Sequence, residues 1–221
     1  MVPRLFSTRR AAGQELGAEV ALLGLKDPLV LALPRGGVPV GCEVARRLGA
    51  PLDVLVVRKV GAPGQPELAI GAVGRGVTVS DPVALAFLEV SQQAFNAAAE
   101  RERREVERRE RAFREGRPAL NLQDRTAILV DDGLATGATM LAAVSVARRL
   151  GARQVIVAVP VASRQAIERL QTQADRVVSL LVPEPFAAVG YWYEDFTQTK
   201  DAEVRRLLHP TEPRVAPAAS R

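Results

Sequence analysis

The sequence predicts an α/β protein built on a parallel sheet with helices on both faces. Two observations lead there. Short all-apolar runs alternate along the chain with amphipathic helical stretches, the pattern of βαβ units whose strands are buried on both faces. The composition, 48% hydrophobic and 25% charged over 221 residues, is that of an ordinary globule large enough for one substantial core.

The elements follow in order. Ser7 or Thr8 caps a first helix whose apolar positions Ala12, Leu16, Val20 and Leu23 recur every three or four residues. Residues 29–33 form a buried strand that stops at the loop Pro34-Arg35-Gly36-Gly37. A helix over 38–48 ends at Gly49, a residue suited to the left-handed turn at a helix terminus. Residues 52–57 read as a second buried strand, after which Arg58-Lys59 open a glycine- and proline-rich stretch running to Pro66. Segments 69–73 and 77–79 suit a hairpin around Gly74-Arg75-Gly76. A long helix over 91–115 follows, with a narrow apolar seam of Phe95, Ala99, Val106 and Phe113. Residues 126–130 are the third buried strand, and 137–150 a helix ended by Gly151. A strand over 155–159, a helix over 164–173 and a strand over 177–182 complete another unit. Beyond Phe186 an aromatic segment leads to a last helix over 202–208. A single domain over 1–208 is expected, with 209–221, rich in proline and poor in apolar mass, as a flexible tail.

Charge excludes more than it suggests. Thirty Lys+Arg against 25 Asp+Glu give a net +5 and a pI of about 10.1, which invites a nucleic-acid partner. Most of that excess lies at the chain ends, in Arg4, Arg9, Arg10, Arg214 and Arg221, and the body is close to neutral. The densest run, 100–115, alternates in sign. Glu100/Arg104, Glu105/Arg109, Glu107/Arg111 and Glu110/Arg114 are spaced to pair along a solvated helix, so no nucleic-acid partner is expected. No apolar run approaches the ~20 residues of a membrane span, and the opening residues lack the apolar core of a secretory signal, so a cytoplasmic protein without a membrane partner is expected. A single cysteine, Cys42, and a single histidine, His209, exclude an internal disulfide and a multi-histidine zinc site.

Parallel sheets of this kind place ligands where loops leave the carboxyl ends of strands, here after Leu33, Val57, Val130 and Val159. The strongest signal is Val130-Asp131-Asp132-Gly133-Leu134-Ala135-Thr136-Gly137-Ala138-Thr139. A buried strand delivers two carboxylates, and a loop of small residues then enters a helix. Unhindered amides, threonine hydroxyls and the positive helix end suit a phosphate. No lysine follows in the nucleoside-triphosphate pattern, and the dinucleotide glycine fingerprint is absent. Two acids beside an anion site would repel it unless hydroxyl donors or a divalent cation intervene. The bland alternative is a helix cap on a tight turn.

This segment resembles the phosphoribosyl-pyrophosphate (PRPP) motif of type I phosphoribosyltransferases: apolar strand, two acids, and a small-residue loop ending Thr-Gly-x-Thr. The resemblance covers roughly residues 29–200. It implies a type I phosphoribosyltransferase-like core with a small hood built from the N-terminal segment and about 183–208. On that resemblance Ala135, Thr136, Gly137, Ala138 and Thr139 cradle the ribose 5-phosphate. Asp131 and Asp132 approach the ribose 2- and 3-hydroxyls, and Mg2+ is held indirectly, through ligand oxygens and water. Pro34-Arg35-Gly36-Gly37 stands in the place of the pyrophosphate loop, with Gly36 and Gly37 exposing amides and Arg35 adding a fork of donors. The non-proline cis peptide common in that loop would fall between Pro34 and Arg35. Arg58, Lys59 and 61–66 match the position of the flexible catalytic loop, a solvated strand end being the alternative. Trp192 and Tyr193 are the candidates to stack on a base, a small satellite core being the alternative.

The implied reaction displaces pyrophosphate from PRPP with a nitrogen of a nucleobase-like acceptor, Arg35, Lys59, Asp131 and Asp132 carrying the catalytic roles. Ala135 stands where 6-oxopurine transferases usually have an acid, and no lysine lies between Lys59 and Lys200, which disfavours hypoxanthine and guanine. The alternative is a PRPP-binding regulatory or accessory protein without turnover. The resemblance also allows a homodimer.

Overall fold

A computed structural model describes residues 5–114, 116–117 and 120–209. Helix α1 (Arg9–Ala21) starts at Thr8, whose hydroxyl accepts the Ala11 amide at 3.1 Å. Strand β1 (Pro28–Ala32) is buried from Leu29 onward, and α2 (Gly37–Leu48) ends at Gly49 with a left-handed φ of +62°.

The apolar run 52–57 corrects the expectation of one strand. Leu52–Val54 is β2, in the parallel sheet, whereas Val57 begins β3 (Val57–Ala62) of a second sheet. Both halves are apolar because each is buried against a different layer, and continuous apolarity does not distinguish one strand from two. Nor is the glycine- and proline-rich stretch an irregular loop. β3 pairs antiparallel with β4 (Gln65–Gly74), with register shifts at Gly61, and β5 (Val77–Ser80) adds the hairpin expected around Arg75. A helix with no counterpart in the sequence reading, α3 (Pro82–Phe87), follows. It is capped by Asp81 and is too short to show a period.

In α4 (Gln92–Arg114) the seam Phe95, Ala99, Val106 and Phe113 is buried. Three of the four expected charge pairs form: Glu105–Arg109 at 2.6 Å, Glu100–Arg104 at 3.5 Å and Glu107–Arg111 at 4.0 Å. The fourth does not. Arg114 turns inward and forks onto Asp53 of β2 at 2.8 and 2.7 Å, joined by Arg117 at 3.2 Å, while Glu110 faces Arg75 at 3.8 Å. The last turn of α4 is therefore not solvated but ion-paired to the edge of the main sheet.

The remaining units are β6 (Thr126–Val130), α5 (Ala138–Arg149), β7 (Gln154–Val161), α6 (Arg164–Gln171), β8 (Arg176–Leu181) and, after a 3-10 turn at Val189–Trp192, α7 (Asp201–Leu208). The main sheet is all parallel, in the order β2-β1-β6-β7-β8. Alternate residues feed two cores. Val30, Ala32, Ile128 and Val130 face α1, α2, α4 and α7, through Leu16, Val44, Phe113 and Val204. Leu29, Leu31, Ala127 and Leu129 face α5 and α6, through Met140, Val144 and Leu170. Helices thus cover both faces. The tail from residue 210 lies outside the described residues, and among those described no helix is long and apolar enough to cross a membrane.

Candidate active site

β1 and β6 are neighbours, with Ala32 opposite Val130, so their carboxyl ends open onto one place. The Leu33 amide donates to the Val130 carbonyl at 2.8 Å, which holds the loop after β1 against the acids after β6. The approach is close enough to require glycine twice. A Cβ on Gly37 would lie 2.5 Å from the Val130 carbonyl oxygen and 2.9 Å from the Asp131 Cα, and one on Gly36 would overlap the Asp132 carboxylate. The Pro34–Arg35 peptide is cis, at the bond the family resemblance named.

Asp131 Oδ1 accepts the Asp132 amide at 2.9 Å. Burial, and then the Asp132 charge, push its carboxyl well above the usual range. Burial raises Asp132 also, but the Arg9 guanidinium opposes that rise, with Nε donating to Asp132 Oδ2 at 2.7 Å. Sequence reasoning left Arg9 among the charges of the chain end. One signal was there to find it: Ser7-Thr8 opens a helix, and a cation in a first turn is disfavoured by the helix dipole unless a carboxylate faces it.

The loop after the acids is pinned to the end of β7. The Leu134 amide donates to the Val161 carbonyl at 2.9 Å, and the Ser163 hydroxyl donates to the Ala135 carbonyl at 2.6 Å. Gly137 takes a φ of +72° and turns the chain into α5, whose first residue is Ala138. Ala135, Thr136 and Thr139 are exposed at this helix start, Gly137 is buried, and the Ala138 amide donates to the Thr136 hydroxyl at 3.4 Å.

The cations divide. Arg35 leaves the glycine loop toward the start of α7, where Nη1 lies 3.4 Å from Asp201 Oδ1. Arg58 and Lys59 are on β3, within a paired hairpin. Arg58 Nε meets Glu102 of α4 at 2.8 Å, and Lys59 Nζ meets Glu67 of β4 at 2.8 Å.

The aromatic segment corrects the role given to Tyr193. Its ring is only 5% exposed and is packed 5.6 Å from Phe6 and 5.1 Å from Phe196, centre to centre. It has no open face for a base. Its hydroxyl instead donates to the Asp132 carbonyl at 2.6 Å, and burial holds the phenol far above its ordinary value, as a permanent donor. Residues at the two ends of the domain meet here. Phe6 bridges Tyr193 strand-fashion, its amide donating to the Trp192 carbonyl at 2.9 Å. Trp192 is half-buried against this cluster with Nε1 buried and unbonded, and Tyr191 is more exposed than Phe196. The side-chain oxygens at this edge are those of Asp131, Asp132 and the Thr136 and Thr139 hydroxyls, and among the described residues no three His, Cys, Asp or Glu side chains lie together.

A parallel α/β sheet with its glycine loop, acids and helix start gathered at one carboxyl edge defines the class: a parallel α/β fold covered on both faces, of the kind that takes ligands at its strand ends. Comparison supplies the family. Residues 4–195 match the phosphoribosyl transferase domain, and the chain belongs to the type I phosphoribosyltransferase family. Two proteins of Mycobacterium tuberculosis, from strains CDC 1551 and H37Rv and provisionally named phosphoribosyl transferases, are each 48% identical over 206 residues. That alignment covers 93% of this chain and 46% of theirs, so the chain spans about half the length of these relatives. The crystal structure of TT1426 from Thermus thermophilus superposes with a TM-score of 0.87 at 50% identity, covering 93% of this chain and 98% of that one.

Proposed function

We propose that the protein transfers the phosphoribosyl group of PRPP, with Mg2+, to a nitrogen of a nucleobase-like acceptor and releases pyrophosphate. The observation that carries this reading is the seating of the acid pair between two loops, the glycine loop 34–37 that packs on it and the 135–139 turn into α5, the proposed cradle, that follows it. The cradle takes the 5-phosphate through amides and the Thr136 and Thr139 hydroxyls. Asp131 and Asp132 receive the ribose hydroxyls. The Gly36 amide, with Arg35, receives the pyrophosphate, the Gly37 amide being turned inward onto the Leu33 carbonyl at 3.1 Å.

In the reaction the bond from the anomeric carbon to pyrophosphate breaks and a bond to the acceptor nitrogen forms. The protein's work is positioning, stabilisation of the leaving charge and exclusion of water. Mg2+, when bound, neutralises pyrophosphate charge. For Arg58 and Lys59 to meet the ligand, their side chains exchange Glu102 and Glu67 for pyrophosphate oxygens. Incubation with PRPP, Mg2+ and a panel of nitrogen bases, with pyrophosphate measured, tests the reading. Acceptor-dependent release is expected. PRPP binding without release with any base would favour a PRPP-binding accessory role, and absence of binding would end both.

A further inference from the structure

Two buried carboxylates beside a polyanion make an electrostatic conflict. The chain carries its own answer in Arg9. Its side chain is 11% exposed and is engaged on three sides: Nε donates to Asp132 at 2.7 Å, Nη1 donates to the Thr197 carbonyl at 2.8 Å, and Cζ lies 3.8 Å from the centre of the Phe196 ring. One side chain therefore ties the acid pair to the aromatic segment.

Nor is this residue free to drift. Gly13 and Gly17 bring α1 onto α2 so closely that a Cβ on Gly13 would stand 2.7 Å from the Val40 carbonyl. α2 itself begins at Gly37, in the glycine loop. Arg9 is thus registered to the loop on one side of the acids and to Phe196 and Thr197 on the other. Its neighbour Arg10, on the same turn, points elsewhere, to Glu43 at 3.1 Å.

Resting on the PRPP reading above, we infer that Arg9 is a positioning residue: it holds the Asp132 side chain aimed for a ribose hydroxyl, and couples that aim to occupancy of the hood. Its countercharge removes part of the repulsion an incoming polyanion meets. Displacement of Phe196 or Thr197 by an acceptor moves the guanidinium, and with it the carboxylate. Acceptor and PRPP then change each other's affinity by the same factor, as linkage requires.

The test is calorimetric titration of PRPP with Mg2+, with and without an acceptor, for wild type, R9A, R9K and R10A, with thermal unfolding of each. R9A is expected to bind PRPP about 30-fold more weakly, the scale for removing one partner of a buried hydrogen-bonded charge pair. R9K, which restores charge without the planar fork, is expected to recover most PRPP affinity but not the effect of acceptor on it. R10A is expected to match wild type. Wild-type affinity in R9A, or an equal loss in R10A, would overturn the inference, the latter assigning the effect to docking of α1. Equal losses in R9A and R9K would also overturn it. Failure of the wild type to bind PRPP would instead remove the proposed function, and the role of Arg9 with it.

Discussion

A methyl group at position 37 has nowhere to go. Gly37→Ala would drive a carbon to 2.5 Å from the Val130 carbonyl, so the loop must leave the acid pair. The expected outcome is loss of PRPP binding by calorimetry, together with a stability loss of about 1–3 kcal/mol, the usual penalty for overpacking. Tyr193→Phe removes only the hydroxyl on the Asp132 carbonyl. It should lower stability by about 1 kcal/mol and weaken PRPP binding more than acceptor stacking, since the ring faces no open space. At this scale legibility follows distance along the chain. The acids and the glycines are contiguous in their loops and readable there, whereas the cis bond follows only from the family resemblance. The partners Arg9 and Tyr193 reach Asp132 across 123 and 61 residues, and local pattern does not encode such pairings.

Among the elements, α4 carries the sharpest expectations. Its last turn is held by Arg114, 4% exposed, on the Asp53 carboxylate. Arg114→Leu leaves that buried acid to the half-buried Arg117 and should lower the unfolding free energy by about 3–5 kcal/mol in urea melts. One turn earlier, Glu110 is raised from 4.5 to about 7, chiefly by burial and then by the Asp53 and Glu107 charges. The folded state therefore holds this proton more tightly than the unfolded chain. That stabilisation is complete below pH 4.5 and is lost as pH rises through about 7. Glu110→Gln should flatten this fall and leave the variant more stable at pH 8 by on the order of 2 kcal/mol, measured by melts across pH. Element reading succeeded where burial is two-sided, as in β1, β6 and β7. It failed where one apolar run served two sheets at 52–57, and where α3 was too short to show periodicity.

For the whole molecule, the net +5 misled in a specific way. Basic residues near the chain start looked like surplus surface charge. Two of them, Arg9 and Arg10, are engaged with Asp132 and Glu43 inside the fold. Removal of residues 1–10 should therefore leave the sheet's circular dichroism signal in place, lower the melting temperature, and reduce PRPP affinity at least as far as R9A does. The strand-like contact of Phe6 with Tyr193 carries this further, into synthesis. On the ribosome the sheet, the acids and the 135–139 turn all emerge before Tyr193 exists to bond Asp132 or Phe196 to receive Arg9. Arg9 can meet Asp132 by then, but its guanidinium lacks the Phe196 ring and the Thr197 carbonyl, so a nascent chain stalled before residue 193 carries that ion pair without the contacts that fix it in place.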